Sequence, residues 1–169
     1  MACLALSVDG GLIASASEKG TIIRVWKTVP SEGSRSRMEQ ELRRGSDRAE
    51  IYSIAFSPSN TWLAASSNKG TVHIWPLHLN NASVSADAGP PTQVLSSWTS
   101  YITKGLVPTY FSSKWSLAQY RLGDTSRSEI AFGSKENTVA IITCSGKLHK
   151  IQFDVMGGEC KKVSFCKFV

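Results

Sequence analysis

No apolar run in these 169 residues approaches the ~20 needed for a membrane-spanning helix. The opening Met1-Ala2-Cys3-Leu4-Ala5-Leu6 has no basic n-region and soon meets Asp9 and two glycines, so it does not read as a secretory signal. Cysteine is scarce: Cys3, Cys144, Cys160 and Cys166 show no C-x-x-C spacing, which argues against a zinc site or disulfide framework and predicts buried, reduced thiols in a cytosolic protein. There is no long basic block. The net charge of +6 comes from 19 Lys and Arg against 13 Asp and Glu, and Glu18, Glu32, Glu39, Glu41, Asp47 and Glu50 interleave with the cations of the first third. Composition alone leaves membrane, nucleic acid and protein partners open, and nucleic acid, supported only by the high pI, is not the expected one. A nucleophile elbow, a P-loop, paired carboxylates and a metal-ligand cluster are all missing, and Asp9, Asp47 and Asp154 sit in turn sequences. The expectation is a non-enzyme with no cofactor, no metal and no small-molecule substrate. Membrane surfaces and proteins remain as partners.

What is present is an internal repeat. Leu6 to Thr21 aligns without gaps on Phe56 to Thr71, an offset of 50 (67 − 17). Each copy reads as an apolar strand, a polar turn, a small-residue strand, a Lys-Gly turn and a strand closing on tryptophan. The closing strands are Thr21-Ile22-Ile23-Arg24-Val25-Trp26 and Thr71-Val72-His73-Ile74-Trp75. Arg24 has no direct counterpart in the second copy, whose closing strand is one residue shorter. A weaker third copy runs through Ile130-Ala131-Phe132-Gly133, Val139 to Ile142, and Ser145 to Ile151. Such units predict an all-β protein built of propeller blades. Ile13-Ala14-Ser15-Ala16 and Leu63-Ala64-Ala65-Ser66, each followed by a strand ending in tryptophan, resemble WD-repeat cores, with Lys27 and Pro76 in place of the usual aspartate. The expected blades are 1–45, 46–122 with a long loop at 77–110, and 123–169. They read as the last two to three blades of a seven-bladed WD-repeat β-propeller, the C-terminal part of a larger one.

Two segments interrupt the repeat. Thr28 to Gln40 reads as a surface loop or ragged strand, and it leads into Glu41-Leu42-Arg43-Arg44-Gly45. The adjacent arginines stand between two copies of a rigid unit, so they can be aimed into two different pockets. Arginine offers a forked cationic donor for phosphate, with charge-assisted bonds worth roughly 1.5–3 kcal/mol each. Ser17 and Thr21 lie across the Lys19-Gly20 turn and Ser67 and Thr71 across Lys69-Gly70, where hydroxyl and backbone donors can point the same way. Thr71 and His73, two apart on a strand, share a face. In the long insertion Val94, Leu95, Trp98, Tyr101, Ile102 and Leu106 recur at helical spacing, which suits a membrane interface. The same apolar side also fits a segment that folds back on the propeller or docks a protein. Asn80 to Pro91 reads as a tether.

Residues 15–24, Leu42-Arg43-Arg44-Gly45, 66–74 and Tyr110-Phe111-Ser112-Ser113-Lys114-Trp115-Ser116, taken in order, resemble the PROPPIN (WIPI) family of autophagy-related WD-repeat proteins. The family signature is an F/L-R-R-G motif between two late blades. The resemblance implies a seven-bladed propeller that binds phosphatidylinositol 3-phosphate and phosphatidylinositol 3,5-bisphosphate at two rim sites, one on each side of the motif. It assigns Arg43 to a first site with Ser17, Thr21 and Arg24. It assigns Arg44 to a second with Ser67, Thr71 and His73. The first site also draws on a preceding blade that this chain does not contain. The implied partners are phosphoinositide-containing membranes and autophagy adaptor proteins. The implied location is cytoplasmic, at the periphery of the phagophore assembly site and of endosomal or vacuolar membranes. A truncated WD-repeat interaction scaffold without lipid binding is the alternative.

Overall fold

The protein is described from a computed structural model at residues 2–28, 38–78, 113–135 and 137–168, and there every regular element is a β-strand. β1 (Cys3–Leu6), β2 (Leu12–Ala16), β3 (Ile22–Lys27) and β4 (Met38–Arg43) form an antiparallel first blade. β5 (Ile51–Phe56), β6 (Trp62–Ser67) and β7 (Thr71–Pro76) begin the second. The chain then lays the short β8 (Lys114–Trp115) parallel on β4, back on the first blade, before β9 (Ala118–Arg121) completes the second. The third blade is β10 (Ser128–Phe132), β11 (Thr138–Thr143), β12 (Lys147–Gln152) and β14 (Lys161–Lys167), with β13 (Gly158–Glu159) laid parallel on β9.

Burial follows the stacking of the blades. In β2 alternate residues are buried, as expected of a sheet with one covered face, whereas β6 is buried almost without interruption from Leu63 to Ser67. The second blade is sandwiched: Ala65, Leu63 and Trp75 belong to a core shared with the first blade, and Ala64, Val72 and Ile74 to one shared with the third. Small residues in β6 let both neighbours approach closely. The outer blades each keep an uncovered face among the described residues, and Leu4 and Leu6 are 60% and 64% exposed there.

The Lys-Gly turns fix the rim. Gly20 and Gly70 have φ of 58° and 67°, in the left-handed region, and donate their N–H groups to Ser17 and Ser67 at 2.9 and 3.0 Å. A side chain at Gly20 would collide with the Ala49 carbonyl, 1.8 Å from an ideal Cβ, so the link to the second blade lies directly on the first blade's turn. Gln40 then ties the blades laterally, donating to the Pro76 carbonyl at 3.2 Å and accepting from the His78 N–H at 3.1 Å.

Three sequence expectations change. The stretch to Gln40 is not all loop: β4 begins at Met38, because Gln40 and Leu42 supply the buried positions of a fourth strand. Residues 29–37 lie outside the described residues. Of the four cysteines, all free, only Cys160 is buried; Cys144 and Cys166 are exposed because no sheet among the described residues covers the outer face of the third blade. Arg24 does have a counterpart. It lies opposite Ser15, and His73 lies opposite Ala65, the position 50 residues on, so the two share one place in successive blades (65 − 15). The extra residue of the first copy is absorbed between Gly20 and β3.

Candidate functional site: the rim around the arginine pair

β4 carries Leu42 opposite Ile23, both fully buried toward the second blade. Arg43, opposite Ile22, therefore points to the other face, the one holding Arg24 and Glu41. Arg44 extends the ladder by donating its N–H to the Thr21 carbonyl at 2.9 Å, and its side chain returns to the face that looks at the second blade. Simple alternation thus sends the two guanidinium groups into two clefts.

Arg43 is 3% exposed. Its Nε donates to Ser113 Oγ at 2.8 Å, and its guanidinium lies 5.8 Å from the centre of the Trp115 ring, a cation–π distance. Its carbonyl accepts the Trp75 indole N–H at 3.2 Å, which pins the end of β4 to the second blade. On the same face Arg24 is engaged by Glu41 at 2.8 Å, in a half-exposed ion pair. Ser17 is exposed at the turn, and Thr21 is half-buried with its carbonyl accepting from Arg44.

Arg44 is 7% exposed, and its side chain donates to two neutral acceptors, the Gly20 carbonyl at 2.7 Å and the Asp47 carbonyl. Burial lowers its pKa, with the Asp47 charge opposing, yet a guanidinium stays charged at any working pH. Facing it is His73, whose pKa is pushed down to about 4 by burial and then by the Arg44 charge, so the imidazole is neutral near pH 7. The ring stacks on Trp75 with centroids 5.7 Å apart, and Nδ1 lies 3.0 Å from Ser116 Oγ. With Nδ1 accepting that hydroxyl, Nε2 carries the proton and is a donor. Thr71 shares the His73 face two residues away, and Ser67, buried, continues the same face of β6 at the turn.

Sequence reasoning missed one residue of this cleft. Arg121 lies directly opposite Thr71 in the ladder and so shares its face. The signal existed: Tyr120-Arg121-Leu122-Gly123 repeats Leu42-Arg43-Arg44-Gly45 in the ladder, with Arg121 at the place of Arg43 and the buried Leu122 at the place of Arg44. The insertion stretched the spacing to 78 residues (121 − 43) and hid the match. Val94, Leu95, Trp98, Tyr101, Ile102 and Leu106 lie outside the described residues. At the foot of that segment Trp115 is 62% exposed.

The arrangement can hold an anion. A buried cation is ordinarily matched by a carboxylate. Among the described residues Arg44 hydrogen-bonds only carbonyls; it faces a neutral histidine, and the Asp47 carboxylate acts on it through space as a smaller influence than burial. Two surface hollows elsewhere, lined by Arg127, Ile142 and Phe168 and by Glu18, Arg48 and Asn68 among others, contain neither Arg43 nor Arg44.

Comparison with known proteins bears out the propeller blades. The family model described as PROPPIN matches residues 1–163. Autophagy-related protein 18e of Arabidopsis thaliana is 37% identical over 94% of the chain, and autophagy-related protein 18 of Schizosaccharomyces pombe is 35% identical over 98%. Among solved structures, a complex of KlAtg21 with the coiled coil of AgAtg16 superposes with a TM-score of 0.72 at 27% identity over 99% of the chain. Hsv2 of Kluyveromyces marxianus superposes at 0.68 and 20% identity, which supports the fold alone. The chain spans 38% and 48% of the two relatives' lengths and 42% of the Atg21 chain.

Proposed function

The chain belongs to the PROPPIN family, and we propose that its rim binds the phosphorylated headgroups of phosphatidylinositol 3-phosphate and phosphatidylinositol 3,5-bisphosphate, recruiting the protein to autophagic membranes as a non-enzymatic adaptor. The observation that carries this reading is Arg44, a buried guanidinium hydrogen-bonded, among the described residues, only to carbonyls, facing His73 on the blade face that also carries Ser67, Thr71 and Arg121. A phosphate there would accept from the arginine fork, the threonine and serine hydroxyls and the imidazole N–H. Arg43 serves the other cleft, with Ser17, Thr21 and Arg24. Arg24 joins it by exchanging Glu41 for the phosphate.

Each cleft alone is a modest binder. Two clefts on one rigid body, with the segment holding Trp98 and Tyr101 entering the membrane interface, act as linked contacts, so avidity replaces affinity. The protein would then reside in the cytoplasm and at the phagophore assembly site, endosomal or vacuolar membranes. A protein partner is also proposed, because the superposed Atg21 was solved with the coiled coil of AgAtg16.

Flotation with liposomes tests the reading. Binding should require phosphatidylinositol 3-phosphate and should be lost in Arg43→Thr/Arg44→Thr. Equal recovery on liposomes without that lipid, or an unaffected double variant, would leave the interaction scaffold as the function. Trp98 emission should shift to the blue on the same liposomes, and an unchanged spectrum would assign the insertion to protein docking.

A further inference from the structure

The third blade repeats the frame of the second. β11 and β12 place Ile141 opposite His149 as β6 and β7 place Ala65 opposite His73, an offset of 76 in both strands (149 − 73, 141 − 65). The turn repeats as well. Gly146, at φ 75°, donates to the Thr143 carbonyl at 3.0 Å, as Gly70 does to Ser67. Thr143 thus stands where Ser67 stands, and Lys147 where Thr71 stands. Lys167 lies opposite Lys147 as Arg121 lies opposite Thr71. The junction of the second and third blades therefore carries a hydroxyl, a histidine and two lysines at the places of Ser67, His73, Thr71 and Arg121, with the buried Leu122 in the place of Arg44 itself.

A carboxylate of the chain already occupies this frame. Asp124 accepts from Lys147 Nζ at 2.7 Å and from Ser145 Oγ, and its other oxygen accepts from the Ser126 N–H at 2.9 Å. Its side chain is 12% exposed. Gly45 and Gly123 each follow two residues after the equivalent Arg43 and Arg121, so the position of Asp124 is taken at the first junction by Ser46, which is exposed and uncharged. His149 gives a second sign. It is 5% exposed, Nδ1 lies 3.2 Å from the Tyr120 hydroxyl, and Nε2 is buried without a hydrogen-bond partner among the described residues.

We propose that the junction of the second and third blades is a third phosphate site, closed by the Asp124 carboxylate acting as its built-in anion. The proposal rests on the reading of the Arg43 and Arg44 clefts as phosphate sites for its ligand class. Asp124 then sets the number of headgroup sites on the rim: a phosphate entering the third frame meets a negative charge already bound to Lys147.

The test removes the carboxylate in the full chain with both arginines silenced. In an Arg43→Gln/Arg44→Gln background, Asp124→Ser should bind soluble inositol 1,3-bisphosphate at least tenfold more tightly by calorimetry than the background protein does. Lys147→Gln added on top should abolish the gain. Inorganic phosphate titrated in parallel identifies the source: equal gains assign the site to free phosphate, and a larger gain for the bisphosphate assigns it to a headgroup. Asp124→Asn, which keeps an oxygen for the Ser126 N–H and loses the charge, serves if the serine variant does not fold. No gain in a variant with the parent circular dichroism, or a gain that survives Lys147→Gln, would overturn the proposal. A wild-type protein that ignores inositol phosphates while the Asp124 variant binds them would overturn the reading of the arginine clefts and leave this one standing.

Discussion

His73 should make the protein's stability fall steeply below neutral pH. In the folded chain its pKa is pushed down to about 4 from an ordinary 6.5, first by burial and then by the Arg44 charge. A depressed histidine favours the neutral form in the native state. Its contribution is fully present above the unfolded value of 6.5 and is lost as pH falls toward 4, because the unfolded chain takes up a proton that the folded chain refuses. A tenfold difference in proton affinity between the two states corresponds to about 1.4 kcal/mol, so the loss is about 1.4 kcal/mol at pH 5.5 and about 2.5 kcal/mol at pH 4.5. Other groups titrate in the same range, and the difference between wild type and His73→Gln isolates this one. Urea denaturation at pH 7.5 and pH 4.5 reads it. With a slope of about 2 kcal/mol/M, the wild-type midpoint should drop on the order of 1 M further than the variant's between the two pH values. Equal drops in the two proteins would refute the argument that His73 is held neutral in the cleft. A phosphate bound beside Arg44 should reverse the effect, raising the His73 pKa followed through its imidazole carbon-bound protons by NMR.

Two further outcomes follow from the rim. Arg121→Gln should weaken inositol 1,3-bisphosphate binding about tenfold, the lower end of one charge-assisted hydrogen bond, while Lys150→Gln on the outer face of the third blade leaves it unchanged; calorimetry separates the two, and equal effects would remove Arg121 from the cleft. Gly20→Ala should destabilise the fold by more than about 2 kcal/mol, since it combines a φ of 58° with a carbonyl 1.8 Å from the new Cβ, whereas Gly10→Ala, at φ 72° with nothing within 4 Å, should cost about 1 kcal/mol; similar melting losses would show that the link at Ala49 simply moves aside.

The blades were legible wherever strands lie inside the stack. β2 and β6 carry small buried residues in a fixed order, and β3 and β7 end on tryptophan, so their repeat survives in one sequence. The outermost strands were not. Ala118-Gln119-Tyr120-Arg121 gives the core only the small Ala118, with Tyr120 packed beside it, and every residue of β14 is exposed, so too few buried apolar positions mark these strands. Chain distance also misled where ladder position decides. Counting from the Lys-Gly turn left Arg24 alone, but a strand residue is placed by its cross-strand partner, and opposite Ser15 it is the equivalent of His73.

That equivalence gives three clefts, the open face of the first blade and the two blade junctions, one variable position with three chemistries. Arg24 is a half-exposed cation held by Glu41, His73 a buried neutral ring beside a guanidinium that the Asp47 charge favours only through space, and His149 a buried ring whose pKa burial and nearby lysines lower, next to a lysine already matched by Asp124. The backbone frame is nearly constant across them, with a left-handed glycine donating to a serine or threonine carbonyl each time. What differs is whether the positive charge at the rim has an internal partner. Among the described residues Arg44 hydrogen-bonds only carbonyls, so its cleft has the largest unmet demand for an anion. The Arg43 cleft must first displace Glu41 from Arg24, and the third must displace Asp124 from Lys147. Affinity for a phosphate should therefore fall in that order around the rim, from the junction of the first two blades, to the open face of the first, to the junction of the last two.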